Sequence, residues 1–396
     1  MNREKLSLIV FIILLAAIKP LAAEFKFFSP KGSFAVEVSL DNAKRLRLPI
    51  YRNAITSLAC IGDYAIGGTR ADKGLSPFLF AVSLSNRRLE AAQDLAKVLP
   101  GQRAIQSGFA RVGKVLYAGT MPDQEGSGGH LIMAQFVNKR FEVSDLGEPV
   151  KGEGIFALTA GIRRKMLYGI THPSGNFFSY NIQTGKVEVY EETAVTERQL
   201  GYYHQYSIEP EEFLSRALIV DKVGRVYGSR PVNSIFRFSP QSGNLETLKE
   251  ELPYVWGRRG LGRVDSWAMA PDGTLYGGNA GDGQLIKIDP STGKITNLGK
   301  PIMMQRLTGL AFGSNGKLYG VAGALPGYAH LFIYDTGNGG FTDLGNPRFP
   351  LNVPEIAGEL GWRGFQIATV AASEDGRYIL MGENESLSQL MVFPVK

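Results

Sequence analysis

The stretch Gly273-Thr-Leu-Tyr276-Gly-Gly-Asn279 decides the fold, because versions of it recur along the chain. The other clear copies centre on Tyr117, Tyr168, Tyr227 and Tyr319, and weaker copies span 62–69 and 376–383. The five tyrosines lie 51, 59, 49 and 43 residues apart. A repeat of this length is typical of a β-propeller blade, which holds about four short strands.

Each repeat divides into four segments with strand character. An apolar strand such as 307–312 precedes the tyrosine strand, and an alternating strand such as 285–288 follows it. A turn of the type seen at 289–293 then leads to a fourth strand, such as 294–298. Segments in which apolar and polar residues alternate, separated by turns that contain Gly, Asn and Asp, indicate β-hairpins. Helical periodicity is confined to two short stretches, 89–98 and 210–214.

The count of repeats predicts how the ring closes. Seven units are found, and the last, 366–396, ends after its third strand. A strand-like segment without a repeat of its own, Phe34-Ala-Val-Glu-Val-Ser-Leu40, precedes the first unit. We therefore expect an all-β fold, a seven-bladed β-propeller closed by this N-terminal strand, which would pair with 390–393 and remove a free sheet edge. The alternative is two smaller all-β domains.

Residues 1–23 have the pattern of a secretory signal peptide. Arg3 and Lys5 precede an apolar run, 6–18, that is too short to span a bilayer comfortably, and Leu21-Ala22-Ala23 offers a cleavage site. We expect a secreted or periplasmic protein with a single propeller domain over 24–396 and no stable membrane insertion after cleavage. The alternative is an uncleaved anchor. The single cysteine, Cys60, lies in an apolar strand and is expected to be a buried thiol.

A basic residue precedes the first strand of every repeat. These residues are Arg52, Arg103, Lys151, Arg216, Arg263, Arg306 and Arg363. Propeller geometry places them around one end of the central channel, where they would create a positive potential beyond the net charge of +6. The alternative is that they cap carbonyl groups or pair with acids between blades. No basic run with interleaved aromatic residues indicates nucleic acid as a partner.

The histidines and several tyrosines are predicted at the same end of the channel. His130 and His330 share a polar column of the repeat, for which a structural hydrogen bond is the alternative. The long loop 191–215 carries several aromatic residues, and a second loop adds Trp256. The candidate residues are His130, His172, His204, Tyr202, Tyr203, Arg216, Arg230 and Tyr254. Aromatic rings combined with arginines suit a carbohydrate that carries acid groups, although one of the two adjacent tyrosines would pack the loop down.

Metal and nucleophile motifs are absent from the sequence. There is no His-Glu-x-x-His or His-x-His spacing and no serine in a nucleophile elbow. Single histidines from several loops can still meet at a divalent metal such as zinc. The sequence therefore requires no cofactor, but it allows a metal.

Three features together resemble the β-propeller polysaccharide lyases, especially the ulvan lyases. They are the exported propeller with its arginine rim, the run Gly126-Ser127-Gly128-Gly129-His130, and the loop motif Tyr202-Tyr203-His204. The resemblance implies that His130 and Tyr203 are catalytic, with Tyr202 as the other choice of tyrosine, and that Arg216 faces the uronate carboxylate. Tyr202, His204, His172, Arg230 and Tyr254 would then bind substrate.

The resemblance also implies the reaction, which is cleavage of a uronate-containing polysaccharide such as ulvan by β-elimination. A tyrosine or histidine takes the C5 proton, the C4 oxygen leaves, and an arginine stabilises the enolate-like charge. The alternative is a non-enzymatic exported propeller that binds an anionic glycan. A quinone-dependent propeller dehydrogenase ranks lower, because the sequence shows no sign of metal-binding carboxylates.

Overall fold

The computed structural model describes the chain apart from residues 1–26, 29–30, 40–45, 125, 162–164, 191–192, 256, 258, 304–305, 324–327, 351–361, 365 and 386–387. The first strands in chain order are β1 (Phe27–Phe28), β2 (Phe34–Glu37), β3 (Ala54–Ile61), β4 (Tyr64–Arg70), β5 (Phe78–Ser83), β6 (Arg88–Asp94), β7 (Gln102–Val112), β8 (Val115–Pro122), β9 (Leu131–Val137), β10 (Arg140–Asp145), β11 (Gly154–Gly161), β12 (Met166–His172), β13 (Phe177–Asn181) and β14 (Val187–Tyr190).

The remaining strands follow two short α-helices, α1 (Glu197–Gln205) and α2 (Pro210–Phe213). They are β15 (Ile219–Val220), β16 (Val226–Arg230), β17 (Ser234–Ser239), β18 (Asn244–Glu251), β19 (Val264–Met269), β20 (Leu275–Asn279), β21 (Leu285–Ile288), β22 (Ile295–Gly299), β23 (Leu307–Phe312), β24 (Leu318–Ala322), β25 (His330–Asp335), β26 (Gly340–Pro347), β27 (Phe349–Pro350), β28 (Trp362–Arg363), β29 (Ile367–Ala372), β30 (Tyr378–Glu383) and β31 (Gln389–Pro394).

Hydrogen bonds join the described strands into five sheets of four or more strands, and β27 and β28 form a two-stranded ribbon. The largest sheet has 12 strands, because β4 pairs with β7 through Arg70 and Ala104, and β7 pairs with β11 through Ser107 and Ala157. The prediction of seven blades is therefore wrong: counted as hydrogen-bonded sheets, the propeller has five. The sequence repeat marks each four-strand unit, but it does not reveal which neighbouring units are joined by backbone hydrogen bonds.

The N-terminal strand pairs with the C-terminal strand, and this prediction is confirmed. β2 runs antiparallel to β31, with Phe34 opposite Val392 and Glu37 opposite Gln389. The pairing continues where the Ser388 amide donates to the hydroxyl oxygen of Ser39 over 2.8 Å. A buried apolar cluster extends from this sheet to the first strands after it, including β3 and β5. The end of the expected strand, Leu40, lies outside the described residues.

The first strands of the repeats surround the central channel. The contacts run from β29 to β3, from β3 to β7, from β7 to β11, from β11 to β15, from β19 to β23, and from β23 back to β29. Each later strand of a repeat lies farther from the channel axis, because neighbouring strands are about 4.8 Å apart. Side chains near the starts of these inner strands therefore face the same end of the channel.

The repeated Tyr-Gly phrase has a packing explanation. Tyr168, Tyr227 and Tyr319 are fully buried between sheets. The glycine that follows allows an aromatic ring from the next strand to lie directly on the backbone, since a Cβ at Gly320 would overlap with the ring of Phe332. The phrase thus combines a large side chain that fills the space between sheets with a position where any side chain would clash.

The long loop before β15 contains both α-helices. α1 begins at a capping box in which the Gln199 amide donates to Thr196 Oγ1 over 3.3 Å and the Thr196 amide donates to Gln199 Oε1 over 2.9 Å. The predicted helical stretch 210–214 is confirmed as α2, whereas 89–98 is mostly strand β6 followed by a 3-10 helix at Leu95–Lys97. α1 was not predicted, although the Thr-x-x-Gln pattern was available as a signal.

Two predictions concern export and the thiol. Residues 1–23 lie outside the described residues, so the signal peptide stays a prediction. No helix in the described part of the chain is long and apolar enough to cross a membrane. Cys60 is buried as predicted, and its burial raises the pKa of the thiol to about 11.

Candidate functional site

A cavity of about 240 Å³ lies at the end of the channel where the inner strands begin. The charged residues in its wall are Arg70, Arg103, Arg216, Arg306, Glu211 and Asp265. Phe156 and Trp267 add aromatic surface, and polar side chains such as Gln106 and Asn384 complete the wall. The cavity is therefore polar and positively charged, with apolar surface on one part of its wall.

The four arginines of the cavity have no ion-pair partner among the residues that the structure describes. Arg216 donates from Nη2 to the backbone carbonyl of Glu211 over 3.3 Å, and its guanidinium lies 5.5 Å from the centre of the Phe156 ring. The two acids of the wall are already engaged. Asp265 accepts from Arg263 over 2.9 Å, and Glu211 lies beside His172. The cavity thus holds an excess of positive charge.

The pKa of Arg216 shows that this arrangement disfavours its charged form. Burial lowers the pKa of its guanidinium to about 10; Asp265 opposes this effect, while Arg263, Arg306 and Arg70 add to it. Burial also lowers the pKa of Arg70, and the neighbouring Arg103 acts in the same direction. Guanidinium groups that repel one another in a partly desolvated space are stabilised by any anion that enters it.

The seven basic residues of the predicted ring do not share one environment. Arg103, Arg216 and Arg306 line the cavity. Arg52 and Arg263 are instead paired with acids, as in the alternative, but the acids, Asp94 and Asp265, belong to their own repeats and not to neighbouring blades. Lys151 is exposed, and nothing is described of the Arg363 side chain.

Arg70 belongs to the cavity but was missed by the sequence analysis. It is the last residue of β4, the second strand of its repeat, and that position is expected to lie at the channel mouth. Glu211 and Asp265 were missed as well, because no repeat position singles them out.

His172 borders the cavity through its contact with Glu211. The His172 Nε2 atom lies 3.1 Å from Glu211 Oε1, and the imidazole packs against Phe156 with ring centres 5.4 Å apart. The interaction with His172 is the main reason why the pKa of Glu211 is lowered to about 2. His172 and Arg216 both lie near the ring of Phe156, and Glu211 lies beside His172. An imidazole, a carboxylate and a guanidinium are therefore grouped at one part of the wall.

His130 is not brought together with Arg216. Its Nδ1 atom lies 2.8 Å from Asp145 Oδ1 and its Nε2 atom 3.6 Å from Glu148 Oε1, in the outer half of its repeat. This position is two strands away from β7, or about 10 Å from the channel wall. His330 makes the equivalent contact with Asp343 over 3.0 Å. A structural hydrogen bond, which was the alternative for this repeat column, therefore accounts for both His130 and His330.

Tyr203 is placed where it cannot act on a ligand in the cavity. Its side chain is fully buried, and its hydroxyl donates to the Gly260 carbonyl over 2.8 Å. Burial raises the pKa of this phenol well above its ordinary value. The catalytic assignment of Tyr203 is therefore corrected: it is the tyrosine that packs the loop down.

The remaining candidate residues lie outside the cavity wall. Tyr202, His204 and Tyr254 are exposed, and Arg230 is half-buried with its Nη1 atom 3.4 Å from Thr247 Oγ1. Trp256 falls outside the described residues. Among the residues that are described, no three His, Cys, Asp or Glu side chains are grouped so that they could hold a metal ion.

Comparisons with known proteins support the fold. No family model matches the chain, and no curated protein matches it. The extracellular domain of BT4673 from B. thetaiotaomicron, described as a hybrid two component system, is 16% identical with a TM-score of 0.56, and the match covers 90% of this chain and 39% of that one. Virginiamycin B lyase from Staphylococcus aureus is 10% identical with a TM-score of 0.59, over 91% and 99% of the two chains.

A third solved structure is also a β-propeller domain. The β-propeller domain of Cps50 (Swd1) from Myceliophteria thermophila is 9% identical with a TM-score of 0.55, over 90% of this chain and 99% of that one. At such identities the likeness shows the β-propeller fold alone, and one fold serves many functions. None of the three matches supports the expected ulvan-lyase resemblance.

Proposed function

We propose that the channel cavity binds an acidic carbohydrate, with a carboxylate of the ligand held among Arg70, Arg103, Arg216 and Arg306. The observation that carries this proposal is the convergence of four guanidinium groups, none with an ion-pair partner among the described residues, on one cavity of about 240 Å³. Like charges in a partly desolvated space are unfavourable unless an opposite charge joins them. A carboxylate would accept charge-assisted hydrogen bonds from these groups.

The rest of the wall supports a sugar as the carrier of that carboxylate. Phe156 and Trp267 offer apolar ring surface, while Gln106, Thr308 and Asn384 offer donors and acceptors for hydroxyl groups. Ligand sites commonly combine apolar walls with a few polar groups that fix orientation. The predicted export of the chain would place such a site where extracellular glycans are found.

A second candidate function is cleavage of the glycan by β-elimination, and one observation favours it. The His172–Glu211 pair lies beside the unpaired arginines. His172, which could act as a base, is therefore close to the arginines that would hold the carboxylate of the ligand. In this scheme His172 would take the C5 proton, the electron pair would form the C4–C5 double bond, the C4–O bond would break, and the protonated His172 would return a proton to the leaving oxygen. His130 and Tyr203 have no part in it.

Titration calorimetry with acidic and neutral oligosaccharides tests the proposal. We expect a galacturonate oligomer to bind and a neutral oligomer of the same length to show no binding. Arg377→Ala is the matched control, because this exposed arginine lies in the turn at the far end of β29. Absence of binding by every uronate tested would overturn the proposal.

The two candidate functions differ in their product. An unsaturated uronate absorbs in the ultraviolet, so the same mixtures are followed spectroscopically. A growing absorbance that disappears in His172→Asn would support the lyase, whereas binding with no change in absorbance would leave the cavity as a binding site.

A further inference from the structure

Two exposed tyrosines lie at the end of helix α1: Tyr202 in its last turns and Tyr206 at its C-cap. The side chains of Tyr202 and Tyr206 are 44% and 59% exposed, and their ring centres lie 5.0 Å apart with the planes inclined by 53°. Tyr202 also lies against Gly260, so its ring is supported from one side. We refer to Tyr202 and Tyr206 as the tyrosine pair. Two large aromatic groups held side by side in solvent form a surface that a ligand can cover.

The tyrosine pair is fixed relative to the cavity. The ring of Tyr202 lies edge to face with the ring of Tyr203, with centres 5.4 Å apart. Tyr203 in turn packs in a buried cluster with Ala104, Met121 and Phe156, and these three residues also line the cavity. The ring of Tyr203 therefore separates the tyrosine pair from the cavity wall, and two successive packing contacts of this kind span roughly 10 Å.

Two further contacts hold the helix in place. The capping box at Thr196 fixes its first turn, and the side-chain amide of Gln199 donates to the Pro231 carbonyl over 3.0 Å. The tyrosine pair is thus preorganised, so a ligand that covers it loses little free energy in ordering the helix.

We propose that the tyrosine pair is an outer subsite for an anionic oligosaccharide, which stacks its sugar rings on Tyr202 and Tyr206 while a uronate at another position occupies the cavity. This inference rests on the proposed function, because the positive charge of the cavity selects the ligand. The C–H face of a sugar ring matches the apolar face of a phenol, and the phenol hydroxyl can hydrogen-bond to sugar hydroxyls.

The spacing gives the outer subsite a chain-length preference. A single sugar in the cavity cannot also reach a surface about 10 Å away, beyond the buried ring of Tyr203. A longer chain reaches both, and the second contact then forms within an already bound complex at a high effective concentration. The protein should therefore bind a long uronate chain more tightly than a monosaccharide.

Calorimetric titration with galacturonic acid and with a galacturonate hexamer tests the inference. We expect the double variant Tyr202→Ala/Tyr206→Ala to bind the hexamer about tenfold more weakly than the unmodified protein, a loss of about 1.4 kcal/mol. Its affinity for the monosaccharide should not change. Tyr202→Phe/Tyr206→Phe keeps the rings and should keep most of the preference.

Two controls keep the result interpretable. Val223→Ala removes an apolar side chain that is 55% exposed in the turn between β15 and β16, at the far end of the channel, and should have no effect. Tyr206→Gln changes a single exposed side chain at the C-cap of α1, so it provides a readout even if the double variant does not fold.

The outcomes separate the two proposals. If Arg216→Ala weakens both probes while the tyrosine variants bind the hexamer like the unmodified protein, the outer subsite is overturned and the cavity proposal stands. Equal affinity of the unmodified protein for both probes would also overturn the outer subsite. If neither probe binds, the proposed function itself fails.

Discussion

The ring of Tyr203 stacks on the ring of Phe213, with their centres 3.9 Å apart and their planes inclined by only 8°. This contact joins α1 to α2 and turns the Tyr203 hydroxyl away from the cavity, towards the Gly260 carbonyl. The neighbouring Tyr202 points to solvent because consecutive residues face different sides of a helix. The stack explains why two adjacent tyrosines have opposite roles.

Replacement of Tyr203 by phenylalanine tests this assignment. The substitution removes one buried hydrogen bond and leaves the stack with Phe213 in place, so we expect the free energy of unfolding to fall by about 1 kcal/mol. Ligand binding should be unchanged. Urea denaturation and calorimetry check the two parts, with Tyr202→Phe as a control for stability, which should leave the free energy of unfolding unchanged. Loss of ligand turnover at unchanged stability would restore Tyr203 as a catalytic residue.

Arg216 should contribute more to ligand affinity than any exposed arginine. Arg216→Ala removes a charge-assisted contact, which typically costs about 1.5–3 kcal/mol, or roughly tenfold to a hundredfold in Kd. Arg377→Ala should leave the Kd of a galacturonate oligomer unchanged. Equal losses in the two variants would indicate diffuse attraction and no localised site.

The affinity for an acidic glycan should fall as salt is added. Ions screen the attraction between the arginine cluster and a negatively charged ligand, and the Debye length shortens to about 8 Å at physiological ionic strength. Arg103→Ala should show a weaker dependence of Kd on sodium chloride concentration, because one cavity charge is gone. An affinity that does not respond to salt in the unmodified protein would contradict the electrostatic account.

Glu211 should make the stability depend on pH in the acid range. The pKa of its carboxyl group is lowered from 4.5 to about 2, mainly by His172, so the charged form favours the folded state. This contribution is present above pH 4.5 and is lost as the pH falls towards 2. Urea midpoints measured from about pH 6 down to about pH 3 should fall more steeply for the unmodified protein than for Glu211→Gln. Parallel curves would argue against the pair with His172.

The pairing of β2 with β31 should be required for stability. Val36 is buried in the apolar cluster that this sheet shares with the first repeat, so Val36→Asp places an unpaired charge there. We expect the free energy of unfolding to fall by about 3 kcal/mol or more. Val137→Asp is the matched control, since Val137 is exposed on β9. A small effect of Val36→Asp in thermal denaturation would mean that the closure is dispensable.

The local features of the fold could be predicted because they depend on short-range patterns. The strands expected at 285–288 and 307–312 coincide with β21 and β23, since alternation and glycine turns are encoded within a few residues. The number of separate sheets could not be predicted in this way. It depends on single backbone pairings such as Ala157 with Ser107, which join residues far apart in sequence.

The candidate site was predicted in part for the same reason. The repeat position placed Arg103, Arg216 and Arg306 at the cavity, because equivalent positions in a repeat occupy equivalent places. Whether a given arginine forms an ion pair depends on a single neighbouring acid, as Arg263 and Asp265 show. The position of such an acid does not follow from the repeat. The choice between Tyr202 and Tyr203 required knowledge of helix α1.

The antiparallel pairing of β2 with β31 brings the two ends of the propeller sequence into one sheet. The same arrangement of strands could therefore be formed by a chain that begins and ends at a different place in the ring. A circular permutant that links Lys396 to the segment before Phe34 and opens the chain in an exposed turn, such as the one at 336–339, would retain the strand neighbours of the native fold. In such a permutant, helix α1 would lie near the middle or near one end of the polypeptide, according to the turn that is cut, whereas the cavity would still be lined by residues from most of the repeats.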